Sequence, residues 1–243
     1  NIRLYAMPTL TLLKSVKENL IHLLFPRLCF ICENELEKSK KPFCAFCYRQ
    51  LPFAYIQGTA IDHPIQDLFG GRVELQHSYS LLYYEKKGDT QKLLHAIKYQ
   101  NKPQLAILMG EWLGKEIAKQ GWAKELDALI PVPIHPKKEF LRGYNQSEKL
   151  AKGIANVLDL PIDNTLLKRN TNDKSQTQQS GRFLRWDNIQ SAFGVRKKKL
   201  MYKHVAIVDD VITTGVTIEK ITRQLNEYYP EIRISVISLA FAK

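Results

Sequence analysis

The stretch Val205–Thr217, VAIVDDVITTGVT, is the most informative in the chain. Its four apolar residues, Val205 to Val208, read as a strand buried on both faces, as in a parallel sheet. The run stops at two adjacent carboxylates, Asp209 and Asp210. Thr213, Thr214 and Gly215 then make a turn, and VTIEKITRQLNEYY continues at helical spacing. Strand, acidic pair, glycine turn and helix start together describe a phosphate site beside groups able to hold hydroxyls or a metal. Gly215 lets backbone N–H groups approach a phosphate closely, and the helix N-terminus adds oriented donors and partial positive charge. Thr213, Thr214 and Thr217 contribute hydroxyls. The bland alternative is an ordinary strand–turn–helix corner with a solvated Asp pair. A P-loop nucleotide site would need G-x-x-x-x-G-K-[ST] elsewhere. The nearest approach, Gly110 to Glu116, is one residue short and lacks the hydroxyl.

On either side of this stretch, strand and helix patterns alternate. HSYSLLYYE reads as a strand and KKGD as a turn; Asp89 or Thr90 is expected to cap a helix carrying Leu93, Leu94 and Ile97. A second helix, LAILMGEWLGKEIAKQ, follows Pro103. LDALIPVPI (126–134) is a strand, HPKKEFLRGYNQ a loop, and 147–158 a helix; PIDNTLLKR holds a short strand, and IRISVISLAFA closes the chain as another. The alternation predicts an α/β fold, a parallel sheet with helices on both faces. Ligands on such sheets sit outside the carboxyl ends of the strands. The loop after Ile134 carries Lys137, Lys138 and Arg142, and Arg142 stands beside Gly143, where a guanidinium can clamp phosphate oxygens. Residues 169–188 are polar and carry Arg169, Lys174, Arg182 and Arg185; a loop of this length is expected to act as a lid.

All four cysteines fall in RLCFICENELEKSKKPFCAFCYRQLP, as two C-x-x-C pairs, Cys29/Cys32 and Cys44/Cys47, eleven residues apart. Two such knuckles complete a tetrahedral site, so the expectation is structural zinc with no open position; two disulfides are the lesser alternative. Residues 9–25 place Leu13, Val16, Leu20, Leu23 and Leu24 on one helical face, which fits a helix docked on its own domain or one lying on a membrane surface. Residues 52–77 look like a connection. The expected domains are therefore 1–76, with the four-cysteine module, and 77–243, the α/β domain. The chain is 243 residues long with net charge +12 and pI near 9.5, a balance that attracts phosphorylated substrates, nucleic acid or membrane surfaces alike. No apolar run is long enough to span a bilayer. Asn1 stands first, with Met7 one candidate start. Lys14, Lys17 and Glu18 interrupt the apolar N-terminal segment, so a secretory signal is not expected and the reducing cytoplasm is the expected location.

The acidic pair with its TTG turn resembles the signature of type I phosphoribosyltransferases. Along nearly the whole length the chain is similar to the ComF family of competence-associated phosphoribosyltransferase-like proteins. The matching features are the cysteine knuckles after LFPRLC, then LHAIKY, RGYNQSEKLAKGIA, SQTQQSGRFLRWDN followed by AF, and DDVITTG. One departure is Tyr144, where many relatives carry Phe. The resemblance implies a site for phosphoribosyl pyrophosphate (PRPP). Its ribose hydroxyls would lie on Asp209 and Asp210, and its 5′-phosphate on Thr213, Thr214, Gly215, Val216 and Thr217. Mg²⁺ would be held by Asp209 or Asp210 directly or through water, and the pyrophosphate would lie near Lys137, Lys138 and Arg142, under a lid bearing Arg169, Arg182 and Arg185. Three functions fit: a magnesium-dependent phosphoribosyltransferase serving DNA uptake, a PRPP-responsive factor that binds single-stranded DNA through Arg182, Arg185, Trp186 and Arg196 to Lys199, or a zinc module that docks other DNA-uptake proteins.

Overall fold

The computed structural model describes residues 26–36, 42–54, 64–170 and 193–242. The expected N-terminal helix over 9–25 lies outside them. The chain forms two compact units, one reaching to Gln50 and the other running from Leu51 to Lys243.

The first unit is a knuckle hairpin followed by helix α1 (Ala45–Gln50). Leu28 and Glu35 bridge antiparallel, Cys29 N–H donates to Asn34 O at 2.7 Å, and Glu33 turns the chain at φ 58°. Its buried apolar residues among those described are Cys29, Leu36, Phe43 and Cys47.

The second unit is built on a four-stranded parallel sheet: β1 (Ser78–Tyr84), β2 (Ala128–Pro131), β5 (His204–Ile212) and β6 (Arg233–Ala242), in the order β1-β6-β5-β2. Short helix α2 (Pro64–Phe69) precedes the sheet. Helices α3 (Asp89–Tyr99) and α4 (Pro103–Ile117) connect β1 to β2, α5 (Pro136–Arg142) and α6 (Gln146–Leu158) follow β2, and α7 (Val216–Tyr228) joins β5 to β6. Alternate residues of β5 divide the core. Val205 and Ile207 pack with Ile218, Ile221 and Leu225 of α7 on one face. Ala206 and Val208 are equally buried on the other, where α6 lies against β5 and β2. Both faces are covered, so the strands are continuous apolar runs. The edges are covered too: Phe53 pairs antiparallel with Leu82, and Ile162 extends the sheet beside Leu129. Together with Ile65, Phe69 and Leu75 in the core, the Phe53 pairing ties the described residues of 51–76 to the α/β unit. The two units thus divide at Gln50–Leu51, upstream of the boundary near Gln76 expected from composition.

Three local readings change. The helix expected to be capped by Asp89 or Thr90 has Gly88 as its N-cap with no side-chain cap, and Thr90 is buried. Strand β2 ends at Pro131. The stretch after Ile134, expected as loop, contains α5: His135 caps it by accepting from Lys137 N–H at 3.2 Å, Pro136 opens it, and Gly143 closes it at φ 78°. The segment 169–188 leaves from an antiparallel ribbon of β3 (Leu167–Arg169) and β4 (Phe193–Val195); its interior from 171 lies outside the described residues. No helix among those described is long and apolar enough to cross a membrane.

Helices α4 and α6 meet backbone to backbone. A Cβ on Gly153 would lie 2.1 Å from Ile107 O, and one on Gly110 2.2 Å from Leu150 O. Neither obstacle is a side chain that can swing away, so Gly153→Ala forces the helices apart. We expect it to lower stability by about 1–3 kcal/mol or more, as overpacking does. Urea unfolding followed by circular dichroism measures this; a midpoint equal to the parent's would contradict the close contact.

Candidate functional site

Strand β5 carries its last residues beyond the apolar run, and the acidic pair stands there at the carboxyl edge. Asp210 is 4% exposed and Asp209 partly so. Asp209 Oδ1 accepts from the Asp210 backbone N–H at 2.8 Å and from the Ser147 hydroxyl at 3.1 Å. Burial, and then the neighbouring Asp210 charge, push the Asp209 carboxyl up to about 7, against the pull of these hydrogen bonds and of Lys98. Lys98 Nζ lies 2.9 Å from Asp210 Oδ2, with the two side chains 21% and 5% exposed. The pair is nearly dry, so the attraction between ammonium and carboxylate is weakly screened. Hard carboxylate oxygens of this kind suit Mg²⁺.

Beyond the pair the chain turns sharply. Gly215 adopts φ 73°, and a Cβ there would lie 2.7 Å from the Phe69 ring and 2.9 Å from Leu68, so both backbone conformation and space require glycine. Arg72 holds the turn from outside, donating to Thr214 O at 3.3 Å and lying 3.8 Å from Glu219. Thr213 and Thr214 are exposed and Thr217 partly so; Val216 begins α7. The first turn of α7 leaves its N–H groups free for an anion.

Beside the pair, a cavity of about 610 Å³ is lined by Lys98, Tyr99, Asn101, Lys138, Arg142 and neighbouring residues of α5. Arg142 is pre-aimed: it donates to Gln146 Oε1 at 2.8 Å and lies over the Tyr99 ring at 5.2 Å. Lys138, not Lys137, lines this cavity. Asn145 links loop and helix, donating to Val132 O at 3.0 Å while capping α6 through Ser147 N–H. The Tyr144 hydroxyl donates to Ile97 O, anchoring the end of α3 beside Lys98. Arg169 stacks over Phe193 at 4.7 Å in the ribbon, whereas Lys174, Arg182, Arg185 and Trp186 lie outside the described residues.

The sequence reading missed Lys98, Ser147, Arg72 and Phe69. Lys98 and Ser147 stand within LHAIKY and RGYNQSEKL, so their strings were noticed and their role was not. Nothing marked Arg72, whose partner is 142 residues away.

In the first unit the four Sγ atoms lie within 4.8 Å of one another, and Cys32 and Cys44 are 3.7 Å apart. All four thiols are free of disulfides. Four thiolates about 2.3 Å from a tetrahedral ion are spaced about 3.8 Å apart, close to the Cys32–Cys44 separation. Cys44 N–H donates to Cys29 Sγ at 3.3 Å and Cys47 N–H to Cys44 Sγ at 3.4 Å. Burial alone would raise the Cys29 thiol, but backbone donors outweigh it and bring it to about 6, favouring the thiolate a metal needs. The cluster is compatible with a structural metal site.

The phosphoribosyl transferase domain model matches residues 145–243, from the α6 cap to the end of β6. The chain is 31% identical to competence protein F of Haemophilus influenzae over 229 residues, covering 88% of this chain and 96% of that one. It is 28% identical to the DNA utilization protein YhgH of Salmonella typhimurium, covering 82% and 91%. With competence protein ComFC of Bacillus subtilis it shares 21% identity over 88% of this chain and 83% of the relative. Agreement over most of both chains, with 31% identity to competence protein F, places the chain in the ComF family of phosphoribosyltransferase-like proteins.

Proposed function

We propose that the protein binds PRPP at the carboxyl edge of β5 and serves DNA uptake, a role supported by relatives named competence protein F and DNA utilization protein. The observation that carries this reading is the adjacency of the Asp209/Asp210 pair, the Gly215 turn and a cationic cavity, joined by Lys98, which pairs with Asp210 and lines the cavity. Ribose hydroxyls would donate to the carboxylates, the 5′-phosphate would accept from the turn and α7, and the pyrophosphate would face Lys138 and Arg142. Loss of pyrophosphate from C1′ builds positive charge on the sugar and negative charge on the leaving group, and pre-aimed cations stabilise the latter without reorganising. Asp209 and Asp210 would hold a magnesium ion, which when bound neutralises pyrophosphate charge. In the first unit Cys29, Cys32, Cys44 and Cys47 would hold zinc, which would add folding energy to a small module.

A second reading, single-stranded DNA binding, is favoured by exposed Arg196, Lys197, Lys199 and Lys203 on the polypeptide leading into β5. Lys198 belongs to the fold instead: it contacts Asp163 at 2.5 Å, and Asp163 also accepts from Thr165 and Leu166 N–H groups.

The donor reading predicts PRPP binding by calorimetry in the presence of Mg²⁺, weakened at least about tenfold in Asp209→Asn/Asp210→Asn. Pyrophosphate release with a panel of nucleobase acceptors then tests transfer; equal PRPP affinity in the variant would sink the reading. The metal assignment predicts about one zinc per chain in reducing buffer, lost in Cys44→Ser; a ratio near zero would contradict it. DNA binding predicts an affinity falling steeply with salt. Neutralising Arg196, Lys197 and Lys199 should make the slope shallower by about 0.7 for each cation that had met a phosphate. A flat salt dependence would exclude that reading.

A further inference from the structure

Lys98 sits at the seam between the two halves of the proposed donor site. Its ammonium pairs with Asp210, where the ribose hydroxyls are placed, and the same residue lines the cavity assigned to the pyrophosphate. The backbone that carries it is fixed. Leu93, Leu94 and Ile97 are buried, and Ile97 O accepts from the Tyr144 hydroxyl. The side chain is a flexible four-carbon stem ending in a compact charge with three rotatable donors, so the ammonium can turn from Asp210 toward the cavity that the same residue lines.

We propose that Lys98 exchanges partners during donor binding, passing from Asp210 to the pyrophosphate as the ribose hydroxyls engage Asp210. The inference rests on the PRPP reading above and names a substrate-contacting residue that reading did not include.

The physical argument is one of paired costs. Asp210 is buried, so stripping it of its cation leaves an uncompensated charge, which is strongly unfavourable. Pyrophosphate alone could draw Lys98 only against that penalty. A ligand that brings hydroxyl donors to Asp210 and an anion to the cavity at once satisfies both groups. Lys98 thereby couples the two subsites, and the intact donor is favoured over its leaving group. Arg142 has no such role, because Gln146 and Tyr99 hold its guanidinium in place.

The test is calorimetric titration of inorganic pyrophosphate and of PRPP. Metal chelator is present for the pyrophosphate series, so that only the protein's own cations contribute. Asp210→Asn frees Lys98, and we expect it to bind pyrophosphate about tenfold more tightly than the parent while binding PRPP more weakly. Lys98→Met should weaken both ligands. In Lys98→Met/Asp210→Asn the gain for pyrophosphate should vanish. Asp210→Ser, which also frees Lys98, should show the same sign, with folding of each variant checked by its thermal midpoint. A parent protein that fails to bind PRPP would overturn the donor reading itself. A parent that binds PRPP, with no pyrophosphate gain in Asp210→Asn, would overturn the exchange alone. So would a gain that persists without Lys98, since removal of a negative charge would then account for it.

Discussion

Two adjacent carboxylates at the end of a doubly covered strand are the constraint around which the second unit is arranged. Burial and the neighbouring Asp210 charge push the Asp209 carboxyl up, and the surrounding elements bring partners to the pair. Ser147 of α6 and the local backbone serve Asp209, and Lys98 of α3 faces Asp210. The sheet contributes the rigid platform: Asp209 pairs in register with Ser238 of the central strand β6, so the pair cannot drift. A strand end that must hold negative charge thus determines which helices approach it and which polar residues they carry.

Those helices arrive with little latitude. Gly110 and Gly153 let α4 and α6 touch through their backbones, which sets the height of α6 above the sheet. Asn145 then fixes its first turn to Val132 O, and Ser147 follows from that cap. On the other side, Tyr144 reaches Ile97 O, so a single short segment, 143–147, positions contributions from both α6 and α3. The hydroxyl explains the Tyr at 144: a Phe would fill the same buried space but leave this link unmade.

The parts that were legible in the sequence are those whose physics is local. The apolar run, acidic pair and glycine turn of β5 need no distant partner to be recognised, and the sheet followed from alternating patterns. Helix α5 was hidden because it has no buried face; Phe140 and Leu141 are 89% and 82% exposed, so no apolar periodicity marks it. Its proline and glycine punctuation was the available signal. Lys98 was hidden for the opposite reason. It follows a regular apolar stripe, where a lysine reads as a solvated face, and its significance depends on a carboxylate in another strand. Arg72 depends in the same way on the fold bringing it to Thr214. Local chemistry can be read from a string, whereas charge pairing across elements needs the topology first.

The first unit obeys a different rule. Among its described residues only Cys29, Leu36, Phe43 and Cys47 are buried apolar groups, and two of these are cysteines. An edge-to-face contact between Phe30 and Phe43 adds little area. The described apolar groups of this unit are few beside those of the α/β unit. The four sulfurs converge all the same, with Cys44 N–H of the second knuckle donating to Cys29 Sγ of the first. Four converging sulfurs free of disulfides are compatible with a structural metal site, and a metal held there would add folding energy to the unit. The two units are therefore stabilised by unlike means, one by apolar burial around an acidic edge and one by sulfur geometry. A metal held by the cysteines would make chelation a selective perturbation, because no cysteine belongs to the apolar cluster around β5.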